Sequence, residues 1–277
     1  MATLPLPRGA ALLGVVAAGL FAPGLLRAET PVMSMVPRWD YGYGWQVFHK
    51  YRDDTLVDAP NPNGLFARTH ETEFGAVFTW DRSIRLVGTV PYYWREEAQM
   101  VDGERVERSG QGFGDLELIL PLRQYFNGRG YSGNISLNPK VELPTGDDDG
   151  PIAFSDGSTD WGLGISAERE DPRTIIAAGV TYWWEGEPGL GNRVSADGKV
   201  GLMPNPAMQL TLEFDYDFRA DGLNAGFSRL RLGPAWFWWI DRTVLFKVGY
   251  NFNVHESRER PGLGGGDEFR IGLGMAY

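Results

Sequence analysis

Eleven charged residues in this 277-residue chain could act together. Glu213, Asp215 and Asp217 sit two apart in MQLTLEFDYDF (208–218), and Arg229 and Arg231 sit two apart in SRLRLGPAWFWWI (228–240). Lys247 and Arg270 follow in two further stretches of the same type, and Asp115, Glu117, Lys140 and Lys199 come earlier. Each alternates with apolar neighbours, so each belongs to one face of a strand whose other face is greasy. Pairing of 208–218 with 228–240 across the loop at 219–226 would set Asp217 against Arg229 and Asp215 against Arg231. Opposite charges facing each other on paired strands support a sheet by about 0.2–1 kcal/mol each. Enclosed, the same array would impose a transverse field that orients a polar solute in a constriction. The plainer expectation is a structural ladder of ion pairs, since enclosed charges need partners.

Other chemistry is thin. There is no cysteine, so disulfides, thiol nucleophiles and thiolate metal sites are excluded. Three histidines are present, His49, His70 and His255. His70 and His255 have Glu71 and Glu256 beside them, which suggests a water-activating pair. Sequence neighbours on a strand point to opposite faces, however. No catalytic residue is assigned on this basis. The loop DDDGPIAFSDGSTD (147–160) offers Asp147, Asp149 and Asp156 to a calcium ion. It lacks the spacing of an EF-hand loop and reads as a solvated acidic loop. No metal site and no cofactor is expected. A net charge of −10 excludes a basic nucleic-acid surface.

The elements that would hold these residues are strands. From residue 39 onward, twelve stretches alternate apolar and polar residues: 39–52, 66–80, 84–94, 114–126, 134–144, 160–170, 173–184, 193–203, 208–218, 228–240, 244–254 and 267–277. Short turns fall at 81–82, 127–130, 171–172, 204–206 and 241–242, and longer connections fall between them, including 95–112 and 145–159. An even count of strands with alternating short and long connections predicts an all-β, 12-stranded antiparallel transmembrane β-barrel with up-and-down meander order. The short turns would face the periplasm and the longer loops the exterior. The strands match the roughly 9–11 residues needed to cross hydrocarbon at a tilt. An unpaired charge facing lipid at mid-membrane costs about 2–4 kcal/mol, so the apolar parity should face lipid and the charged parity the lumen. A soluble β-sandwich would share the alternation but not the regular alternation of loop lengths.

Residues 1–28 read as a secretory signal peptide: Arg8, then an apolar run from Ala10 to Ala22, then Pro23, Gly24 and a small residue at Ala28. A leader (29–38) and an outer-membrane barrel (39–277) follow. The last stretch, DEFRIGLGMAY, ends on an aromatic residue and should pair with 39–52 to close the cylinder.

The segments GQGFGDLELILPLR (110–123), VELPTGDDDG (141–150) and GSTDWGLGISAERE (157–170) resemble the outer-membrane transporter family associated with the MetA pathway of phenol degradation. The resemblance implies an exported barrel and a link to uptake or export of small solutes, aromatic or hydrophobic compounds among them. It also implies that Phe269 and Tyr277 form the signal read by the barrel-assembly machinery. The partners expected are that machinery, outer-membrane lipids and a small-molecule solute, with no nucleic acid. The competing classes are an outer-membrane enzyme of lipase or protease type and a structural barrel without transport.

Overall fold

A computed structural model describes residues 42–53, 65–81, 83–187, 189, 191–219, 226–240, 243–257 and 266–276. Residues 1–28, expected as a signal peptide, the expected leader at 29–38 and Tyr277 lie outside the described residues. The chain forms a closed antiparallel barrel of twelve strands in meander order. They are β1 (Gly42–Asp53), β2 (Phe66–Asp81), β3 (Ile84–Val101), β4 (Glu104–Phe113, Leu116–Ile119 and Leu122–Gly128), β5 (Tyr131–Leu143), β6 (Asp160–Glu170), β7 (Thr174–Trp184), β8 (Arg193–Asn205), β9 (Met208–Arg219), β10 (Ser228–Trp239), β11 (Val244–Ser257) and β12 (Glu268–Ala276). Closure runs through β1 and β12, from Gly44 opposite Ala276 to Arg52 opposite Glu268. Every strand then has a neighbour on each side through the barrel wall, and only the Glu104–Phe113 arm, paired with β3 alone, rises free on one edge.

β4 is broken twice for identifiable reasons. Gly114 and Asp115 add a residue against β3, where Phe113 faces Tyr92 but Glu117 faces Thr89. Pro121 has no amide to donate, so the ladder lapses at Leu120–Pro121 and resumes at Leu122.

The expected long loop at 95–112 is instead strand. β3 runs on to Val101, and a tight turn at Asp102 and Gly103 folds it back into β4. Both turn residues have positive φ, 52° and 84°, the geometry of a two-residue hairpin turn. The charges of REEAQMVDGERVERSGQG were the signal read as loop. They mark a hairpin whose register sets Glu97 opposite Arg108 and Glu96 opposite Ser109.

The barrel is turned inside out relative to a soluble domain. Leu202 is 60% exposed and Ile165 57%, and the apolar parity is exposed all round the wall. Fully buried positions include Arg85, Glu170, Asn251 and Ser136. So continuous an apolar surface far exceeds the few hundred Å² a soluble monomer carries, and lipid is the solvent that suits it. Trp80, Trp94, Trp161, Trp184 and Trp238 are exposed as a belt requires. Trp183 departs from that pattern: it is 3% exposed and points inward. Phe269 is on the outer face.

Candidate functional site: the lumen

Inward side chains sort into three levels, which β1 alone displays. Going from the short-turn end to the long-loop end, Phe48 lines a lower chamber, Lys50 joins a belt of ion pairs, and Arg52 lines an upper chamber. β3 rises in the same direction as β1, with Arg85 and Val87 below and Tyr93 and Arg95 above.

The belt is built from β9 to β12 with β1 and β2. The expected register holds, with Asp217 opposite Arg229 and Asp215 opposite Arg231. Arg229 donates to Asp217 at 2.7 Å. Arg231 does not bond Asp215, however. Its guanidinium reaches Glu268 on β12, two strands away, at 3.0 Å, with both side chains almost wholly buried. Asp215 accepts from Arg270 and from Asn251 at 3.3 Å. Arg270 also donates to Glu268. Lys247 donates to Glu213 at 2.9 and 3.1 Å. The concave inner wall explains the change of partner: long side chains converge toward the axis and meet across a strand instead of along the ladder.

Lys50 was missed from sequence. It donates to Glu71 at 2.7 Å and to Glu73 at 2.9 Å, bridging β1 and β2. The parity of Gln46, Phe48, Lys50 and Arg52 against Tyr43, Trp45, Val47 and Tyr51 carried the signal.

The upper chamber is about 580 Å³. Arg52, Arg95, Arg193 and Arg219 line it together with Asp115, Glu142, Asp160 and Glu185. Glu185 lies just beyond β7 and takes Arg193 at 3.1 Å and Arg219 at 3.5 Å. Burial pushes its carboxyl above the usual range, and Arg193 pulls the other way. Glu117 stands directly opposite Glu142 on the neighbouring strand. Lys140 lies over the inward Trp183 ring at 5.4 Å.

The acids Asp147, Asp148, Asp149 and Asp156 of the 144–159 connection are exposed, as expected of a solvated acidic loop, but part of the loop turns inward. Asp147 accepts from the Phe113 amide at 2.7 Å, and its own amide donates back to Phe113 at 2.8 Å. Phe154 is thereby brought inward, stacked on Tyr93 at 5.5 Å and 11°, and it lines the upper chamber with Ala153, Ser155 and Asp156. Ile152, Ala153 and Phe154 in the middle of an acidic stretch were the missed signal. Asp147 is used on β4, and Asp156 caps Ser158 at 2.8 Å. No cluster of three metal-ligating side chains occurs among the described residues.

The lower chamber is about 270 Å³. Its polar lining includes Arg85, Arg123, Lys199 and Lys247, and its apolar lining includes Phe48, Phe237, Val77 and Val87. Lys199 faces Glu213 across the ladder. Gly272 sits opposite Phe48, and a Cβ there would fall inside the Phe48 ring. The glycine therefore lets that ring lie flat against the wall.

The histidines build no acid–base site with their neighbouring carboxylates. His70 lies against Trp94 at 5.3 Å and shares a 3.4 Å contact with His49, while Glu71 binds Lys50 on the inner face. His255 is exposed and touches Ser228 Oγ at 3.4 Å.

Comparison with known proteins places the fold. No family profile matches the sequence, and no curated protein matches it. Among solved structures, the chain is similar to an outer-membrane channel from Pseudomonas putida F1, with a TM-score of 0.65 at 10% identity over 91% of this chain and 99% of that one. It is also similar to the NanC porin (TM-score 0.53, 9% identity, 83% of this chain and 98% of that one). The KdgM porin in complex with disordered oligogalacturonate gives a TM-score of 0.51 at 9% identity over 84% and 99%. At such identities the likeness establishes the architecture: this chain has the fold of outer-membrane barrels.

Proposed function

We propose that this chain is an outer-membrane channel that passes small solutes between the exterior and the periplasm. The observation that carries the reading is the stacking of two chambers, about 580 and 270 Å³, along one lumen. The belt of ion pairs between them is its narrow polar section, and Glu213, Asp215, Arg231, Lys247, Glu268 and Arg270 line it. A barrel serving only as a membrane anchor has no need of such chambers, since a small barrel can be filled by its own side chains. The apolar outer wall meets outer-membrane lipid. Residues 1–28 would direct export, and Phe269 with Tyr277 would present the assembly signal to the barrel-assembly machinery. The resemblance of residues 110–170 to the phenol-associated transporter family supports small aromatic or hydrophobic compounds as cargo.

Liposome swelling tests this. Purified protein refolded into vesicles should admit small sugars, carboxylates and aromatic alcohols at rates that fall with solute size. Rates no higher than those of protein-free vesicles, with the protein verified as folded, would remove the channel reading.

A further inference from the structure

We propose that the lower chamber is a binding site for a small monocarboxylate with a flat apolar body. The proposal rests on the channel reading above and names one solute class that the lumen would hold. Three features define that class. The first is charge. Arg85, Arg123, Lys199 and Lys247 converge on one chamber, and no carboxylate lines it among the described residues. Glu213 lies behind, bonded to Lys247 and opposite Lys199. Enclosed cations with low-dielectric walls attract an anion much more strongly than the same charges in water.

The second feature is an apolar slot. The Phe48 ring lies against the wall over Gly272, and Phe237 on β10 stands three strands round the wall from β1. Lys247 Nζ sits 4.7 Å from the Phe237 centroid and 6.0 Å from that of Phe48. The ammonium is thus held at the junction of the two rings, where a carboxylate could meet it while its apolar body lies against a phenyl face. The third feature is size. A volume of about 270 Å³ falls just below the roughly 300–1,000 Å³ of ordinary small-molecule sites, which suits one ring with one charged group. The upper chamber differs: there four arginines face five carboxylates, and no such cationic excess exists.

The probe is benzoate, with acetate as the anion lacking a ring and benzyl alcohol as the ring lacking a charge. Equilibrium dialysis of the full-length protein, folded in detergent at neutral pH, should show saturable benzoate binding at least tenfold tighter than either control. Gly272→Ala, which must displace the Phe48 ring, should weaken benzoate at least tenfold, and Lys247→Gln should do the same. Arg193→Gln in the upper chamber should leave it unchanged. The wild-type comparison of three ligands needs no variant, so a folding defect in any variant leaves the test intact. Benzoate binding no tighter than acetate or benzyl alcohol would overturn the site, even if the vesicles swell. Benzoate binding without swelling would support the site and overturn the channel reading alone.

Discussion

Replacing Arg231 with alanine is expected to lower the stability of the folded barrel by about 3 kcal/mol, the low end of what breaking a buried ion pair costs. Arg231 and Glu268 have only 4% and 6% of their side chains accessible, and 3.0 Å separates them. Truncation would leave Glu268 enclosed without one of its two cations. Arg270 remains bonded to Glu268, which is why the low end is expected. The double variant Arg231→Met with Glu268→Gln should recover much of the loss, because removing both charges together leaves neither one stranded. Urea unfolding in lipid vesicles, read by intrinsic tryptophan fluorescence, measures both. A loss below about 1 kcal/mol for the single variant would mean that water screens the pair as it does an exposed one.

Placing arginine at Ile165 should cost about 2–4 kcal/mol when the protein is folded in a bilayer. Ile165 lies at the middle of β6, between Leu137 on β5 and Val180 on β7, and all three are exposed. In water such a position would accept arginine at almost no cost, since exposed surface substitutions change stability by less than about 0.5 kcal/mol. In lipid the guanidinium must be dehydrated or must snorkel to the interface. The same vesicle titration therefore separates a membrane-facing wall from a solvent-facing one. A change within about 0.5 kcal/mol would contradict the assignment of the apolar face to lipid.

The wall of the barrel was legible in the sequence because a period of two is a local property. MQLTLEFDYDF specifies by itself which residues share a face, and short turns such as Asp171–Pro172 specify which strands are neighbours. The register of β9 and β10 followed from the loop between them, so Asp217 opposite Arg229 was readable. The partner of Arg231 was not. Its bond to Glu268 crosses β11 and depends on the curvature of the closed cylinder, which no pairwise ladder encodes. The inward turn of Phe154 was hidden for a similar reason. It depends on Asp147 finding the Phe113 backbone and on Tyr93 offering a ring, contacts between segments far apart in sequence. Charge density misled at 95–112, where a hairpin rising beyond the apolar zone is as polar as a loop. The lower chamber needed both kinds of information. Parity places Lys199 and Lys247 inside, but their meeting with Phe48 and Phe237 requires the barrel to be closed.

Current through a planar bilayer tests the central claim most directly. Insertion of the purified full-length barrel should produce discrete unitary steps of current in potassium chloride, each step marking one molecule whose chambers join across the belt. A bilayer that stays silent after verified insertion of folded protein would contradict it.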